Sequence, residues 1–212
     1  MTAIDWHYDI LSPFARVALE QMRELPADVT VRPRATLLGG VLKHWGQLGP
    51  AEIAPKRGHT YRLAVHVAGR HGVSLRFPPR HPFNPLPAMR LLAGMNGGAG
   101  ASLPEVRLAF RHVWDEGNAP DDEAGLAGLA SVIGADPALA AADTSKTALR
   151  ESTEGAIARG VFGVPTFALQ EGDLFWGVDA FPMLLDRLAN PDLFAREPYE
   201  RAARTEFAIA RR

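Results

Sequence analysis

No cysteine occurs in the 212 residues. Its absence excludes a disulfide framework, thiolate metal ligands and any thiol nucleophile carried by the chain itself. An excess of charge of one sign is also missing. Twenty-three Lys and Arg stand against 24 Asp and Glu, mixed along the chain, for a net charge of -1. That balance implies neither nucleic acid nor a membrane surface as a partner. No apolar run approaches the roughly 20 residues of a membrane span. Met1 to Asp9 carries acids and no basic leader, so it does not read as a signal peptide, and a cytoplasmic enzyme is expected. The seven histidines form no His-Glu-x-x-His pattern, and His66 and His71 are not one turn apart, so no metal site is expected.

What is present suffices for a core. Hydrophobic residues make up 47% of a length that suits one domain, or one domain with a large insertion. Ala3 to Tyr8 reads as a strand with Ile4 and Trp6 on one face. Ser12 then caps a helix with Pro13 at its first position and Phe14, Val17, Ala18, Met22 and Leu25 at helical spacing. Asp28 to Thr36 alternates as a second strand, completing a βαβ unit.

Helices are expected over Leu37 to Lys43, Thr60 to His71, Ala88 to Met95, Leu103 to Glu116, Asp121 to Val132 and Pro137 to Arg159. Between them lie a Gly- and Pro-rich loop, His44 to Pro55, and a five-proline extended stretch, Val73 to Pro87. Ser102 and Glu105 form a capping box. Val164 to Leu169 and Asp173 to Trp176 make a hairpin around Gln170-Glu171-Gly172. A last helix is expected with Asp179 as its cap, followed by an amphipathic tail to Arg212. The fold class expected from this order is α/β. Residues 1–36 and 159–212 form a discontinuous domain of βαβ plus ββα, and residues 37–158 form an all-helical insertion domain.

Few residues carry chemistry. Ser12 at a helix start has a hydroxyl beside unpaired N–H groups and a partial positive charge, a setting that favours an anion. It also serves simply as a cap. No Gly-x-Ser-x-Gly elbow surrounds it, which argues against a serine hydrolase. Asp179 is either a cap or a carboxylate able to meet an ammonium group. Lys43 and Lys56 flank the Gly-Pro loop as cations. Gly97-Gly98-Ala99-Gly100 lacks the Gly-Lys-Ser/Thr ending and the preceding strand of a phosphate loop, and reads as a turn. At Val164-Pro165 the proline has no N–H for a sheet ladder, which leaves the backbone of Val164 free to pair outside the sheet.

Several separated runs resemble one family in the expected order: Tyr8 to Phe14, Leu38 to Lys43 with Gly46 to Pro50, Arg76-Phe77-Pro78, Phe83 to Arg90, Gly160 to Phe167 and Phe175 to Asp179. The family is the thioredoxin-like 2-hydroxychromene-2-carboxylate isomerases, of the DsbA-like and kappa-class glutathione transferase branch. The resemblance implies a dimeric, glutathione-using enzyme of aromatic catabolism. It implies that Ser12, with Pro13 and Phe14, meets the glutathione sulfur, and that Val164 before a cis Pro165 pairs with the cysteinyl part. It further implies that Asp179 holds the γ-glutamyl end and that Lys56 and Gln47 serve the glycyl end. In the family's reaction the thiolate adds to a chromene ring, the ring opens, a bond rotates and glutathione leaves. The chain departs from the family pattern at Val178, at Ala180 and across Tyr61 to His71. A kappa-like transferase acting on electrophilic or peroxide substrates and a non-catalytic peptide-binding module are the alternative readings.

Overall fold

The computed structural model describes residues 2–206 and residue 208. Four strands form one sheet in the order β2-β1-β3-β4. They are β1 (Thr2–Tyr8), β2 (Val29–Ala35), β3 (Thr166–Ala168) and β4 (Leu174–Trp176). β1 runs parallel to β2 and antiparallel to β3, and β3 runs antiparallel to β4. Pro33 sits in β2, an edge strand, where a missing donor is tolerated.

The helix α1 (Pro13–Gln21) connects β1 to β2. Between β2 and β3 the chain is helical: α2 (Leu38–Trp45), α3 (Ala54–Arg70), α4 (Leu86–Gly94), α5 (Leu103–Trp114), α6 (Glu123–Ile133) and α7 (Asp143–Ala158). After β4 come α8 (Phe181–Ala189) and the short α9 (Tyr199–Ala203). This is a mixed α/β thioredoxin-type fold.

One side of the sheet carries the aromatic core. Ile4, Trp6 and Tyr8 alternate onto that face and are buried. Trp6 stacks on Tyr8 at 4.9 Å between centroids and lies 6.0 Å from Phe110 of α5, while Phe167 meets Phe181 of α8 edge-on at 5.4 Å. A single apolar cluster joins these residues to Leu91 of α4 and Leu129 of α6, so the strands and the helices between β2 and β3 share one core. The other side of β1 presents Asp5 and His7.

The structure departs from the sequence expectations at helix boundaries. α3 begins at Ala54 rather than Thr60, because Pro55 in its first turn needs no donor partner. The single helix expected over Pro137 to Arg159 is two pieces. A 3-10 turn, Pro137–Ala141, is capped by Asp136, an extended Ala142 follows, and α7 starts at Asp143, whose charge suits a helix N-terminus. The strand expected from Val164 starts only at Thr166, as Pro165 cannot extend the ladder. Asp179 does not cap α8. Ala180 is the capping residue and no side chain bonds there, while the Asp179 carboxylate folds back over Gly177, a residue with φ of +85°. The amphipathic tail reduces to α9 among the described residues, and its last part, Phe207 and residues 209–212, lies outside them.

Candidate functional site

Three loops meet at one end of the sheet. The first, Asp9 to Ser12, follows β1. The second, Val161 to Pro165, leads into β3. The third, Gly177 to Asp179, leaves β4. The pairing His7–Thr166 places Pro165 opposite Tyr8 when continued by one residue, and Thr166–Trp176 likewise places it opposite Gly177. The Gly177 N–H donates to the Pro165 carbonyl at 2.8 Å. The Gln21 amide of α1 donates to the Val178 carbonyl at 2.9 Å, fixing the third loop to the first helix.

Ser12 has the extended backbone of a helix cap, and its Oγ accepts from the Ala15 N–H at 3.3 Å. Its hydroxyl proton has no acceptor among the described residues, and the residue is 7% exposed. Capping and donation are therefore compatible at this oxygen, since one uses a lone pair and the other the proton. Pro13 is buried beside it and Phe14 half-buried. The Val164–Pro165 peptide is cis. Among the described residues neither the N–H nor the carbonyl of Val164 takes a hydrogen bond, as expected for backbone that pairs with something outside the sheet.

Residues the sequence reading did not single out hold the Ser12 loop. The Asp9 carboxylate accepts from the Leu11 N–H at 2.9 Å and, across the fold, from the Leu38 N–H of α2 at 2.8 Å. Burial pushes its pKa up from 3.8 to about 6, against the opposing pull of those two N–H groups. The Trp114 indole donates to the Ile10 carbonyl at 2.8 Å, and His81 Nε2 lies 3.0 Å from the Leu11 carbonyl. Since that carbonyl can only accept, Nε2 carries a proton, while burial holds the His81 pKa below its ordinary value. The indole of Trp45 in α2 donates to the Val161 carbonyl at 2.9 Å. Phe162 and Trp176 meet edge-on at 5.2 Å, both partly exposed, next to Gly163. An acid directly after an apolar strand was the visible signal for Asp9. The partners of His81 and Trp114 are far along the chain, and no spacing announces them.

Asp179 is exposed at the edge of the third loop, with no ion pair among the described residues. Gln47 and Lys56 are exposed around the start of α3, and no hydrogen bond or ion pair of the described residues ties either to the three loops. The structure thus gathers Ser12, Pro13, Phe14, Val164, Pro165 and Asp179 at one end of the sheet and leaves Gln47 and Lys56 unconnected to them. No group of three or more metal-ligating side chains occurs among the described residues, and no helix there is long and apolar enough to cross a membrane.

A helix-capping Ser and a cis-proline loop at the same end of a four-stranded mixed sheet define a thioredoxin-class protein. A family model for the DsbA-like thioredoxin domain matches residues 3–189. A 2-hydroxychromene-2-carboxylate isomerase of Pseudomonas putida is 31% identical over 192 residues, covering 85% of this chain and 91% of that relative. A solved 2-hydroxychromene-2-carboxylate isomerase structure superposes with a TM-score of 0.76 at 27% identity, covering 92% of this chain and 100% of the other. The cytosolic disulfide reductase DsbM from Pseudomonas aeruginosa, solved with GSH, matches in fold with a TM-score of 0.51 at 18% identity, covering 88% and 99%. The chain belongs to the DsbA-like thioredoxin family and, within it, to the 2-hydroxychromene-2-carboxylate isomerase family.

Proposed function

We propose that this protein is a glutathione-dependent isomerase of a small aromatic carboxylate of the 2-hydroxychromene type, working as a cytoplasmic homodimer. The observation that carries the reading is Ser12. Its oxygen is engaged with the Ala15 N–H while its proton is free, at the positive end of α1, in a chain with no thiol of its own. Bound glutathione would supply the missing nucleophilic thiolate.

The residues present fit that group. Ser12 donates to the sulfur and, with the dipole of α1, favours its ionised form; a free thiol has a pKa of about 8.5 and is mostly protonated at neutral pH. The unpaired N–H and carbonyl of Val164 pair with the extended peptide, as an added strand would. Asp179, exposed and unpaired, meets the γ-glutamyl ammonium. Trp45, Phe162 and Trp176 give the rim an aromatic surface against which a flat substrate packs. Gln47 and Lys56 serve the glycyl end only if the loop before α3 closes toward the site.

The test is the ultraviolet absorbance of the glutathione thiolate, titrated with pH in the presence of the protein. The expected result is a lowered thiol pKa, lost in Ser12→Ala, with isomerase turnover in that variant reduced by about 100-fold. Unchanged turnover in a folded Ser12→Ala protein overturns the role of Ser12. Release of a stable conjugate in place of an isomer would make the enzyme a transferase.

A further inference from the structure

A cleft of about 780 Å³ opens on the side of the sheet opposite Trp6, away from Ser12. β1 and β2 form its floor, α7 one wall and the Gly97–Gly100 turn another. None of Ser12, Val164, Pro165 or Asp179 lines it.

The side chains at and around its floor carry more positive charge than they use; of the three arginines involved, Arg34 and Arg159 line the cleft and Arg32 does not. The buried Asp5 carboxylate accepts four N–H groups: Arg32 Nε at 2.9 Å, Arg32 Nη2 at 3.1 Å, Arg34 Nε at 2.8 Å and Arg159 Nη1 at 2.6 Å. A carboxylate offers about four lone-pair sites, so Asp5 is saturated. Three guanidiniums against one carboxylate leave two positive charges, and Arg34 keeps Nη1 and Nη2 without a partner among the described residues. On the opposite wall stand the acids Asp143 and Glu151, the former paired with Lys146. The sum suits a single added negative charge better than a phosphate dianion.

Beside Arg34 is an unanswered acceptor. His7 is the direct cross-strand partner of Arg34 and is 3% exposed. The Thr36 hydroxyl donates to the Arg34 carbonyl at 3.1 Å, so it accepts from His7 Nδ1 at 3.0 Å. The ring is neutral, with burial and the neighbouring arginines outweighing the pull of Asp5. Its Nε2 is therefore a bare lone pair, and that atom has no partner among the described residues. A buried acceptor left unmade is unfavourable, and a donor that reaches it gains correspondingly. The glycine turn offers shape rather than charge. The N–H groups of Gly98, Ala99 and Gly100 are used within the turn, while a Cβ on Gly97 or Gly100 would meet open space.

We propose that this cleft is a second ligand site, for a small organic monocarboxylate bearing a hydroxyl group. The carboxylate pairs with the free Nη groups of Arg34 and the hydroxyl donates to His7 Nε2.

Calorimetric titration of the full chain with 3-hydroxybenzoate, benzoate and inorganic phosphate tests it. The expected order is 3-hydroxybenzoate first, benzoate about tenfold weaker for want of the donor, and phosphate weakest. Arg34→Gln, which removes a charge-assisted pair, should weaken 3-hydroxybenzoate by about tenfold or more. Gly155→Leu provides the blocking variant. Gly155 lines the cleft on α7 and a Cβ there meets nothing within 4 Å, so a side chain can start there without a clash and take up cleft space. Leu is also a better helix former than Gly, which keeps this arm valid if Arg34→Gln does not fold. Loss of binding in Gly155→Leu supports the site. Undiminished binding in that variant, no binding of 3-hydroxybenzoate to the native chain, or tighter binding of phosphate overturns it.

Discussion

Replacing Asp9 by Asn should destabilise the protein at low pH but not at high pH. The carboxyl is fully buried between the Ser12 loop and the start of α2, with one oxygen on the Leu11 N–H and the other on the Leu38 N–H. Its pKa rises from 3.8 to about 6 on folding. A carboxyl raised in this way is protonated in both states below about pH 4. Between that value and about pH 6 the folded chain holds a proton that the unfolded chain has released. Native stability therefore falls as pH rises through this window. Two pKa units at about 1.36 kcal/mol each make the total loss about 3 kcal/mol. The Asn variant does not titrate, so it escapes that loss. It does turn an amide NH2 toward one of the two N–H donors, leaving a buried donor unmet at a cost of about 1–3 kcal/mol at every pH. Asp9→Asn should thus be less stable than the native chain near pH 4 and equal or more stable near pH 8. Urea unfolding of both proteins at the two pH values measures the difference directly. A penalty of the same size at both would show that Asp9 titrates alike folded and unfolded, and would refute the reasoning.

Two glycines give sharper steric expectations. In Gly94→Ala the new Cβ would lie 1.8 Å from Ser145 Oγ and 2.7 Å from its Cβ, forcing α4 and α7 apart. A loss of about 1–3 kcal/mol is expected in urea unfolding, largely recovered by adding Ser145→Gly. A double variant as unstable as the single one would locate the strain elsewhere. In Gly163→Ala the Cβ would fall 2.5 Å from Trp176 Nε1, but that indole is 51% exposed and can swing outward. Stability should change by less than about 1 kcal/mol while tryptophan emission shifts to longer wavelength, and unaltered emission would contradict the contact.

Local chemistry explains which features were readable in advance. Ser12-Pro13 starts a helix by side-chain and φ preferences confined to two residues, and Ser102 with Glu105 closes a capping box within four. Both stand in the structure as written. The alternation of Ile4, Trp6 and Tyr8 assigns one face of β1 to the core because side chains in a strand have a period of two. Asp179 shows the limit. As an acid just before an apolar helix it has the form of a cap, yet the turn at Gly177 directs its carboxylate away from α8. Asp9 shows the same limit from the other side, since an acid after a strand says nothing about a partner at Leu38.

By itself the sequence determined the absence of a protein thiol, the βαβ and ββα segments flanking a helical middle, the serine at the first helix start and the proline before β3. These rest on residue identity and on interactions within a few positions. Only the tertiary structure decided that the Asp9, Val161 and Gly177 loops share one end of the sheet, that Trp114 and His81 brace the Ser12 loop, and that Arg34 and His7 stand side by side over a cleft on the far face. Those arrangements depend on strand pairing and on helices returning across the sheet. The contacts they create join residues as much as 157 positions apart, as between Gln21 and Val178.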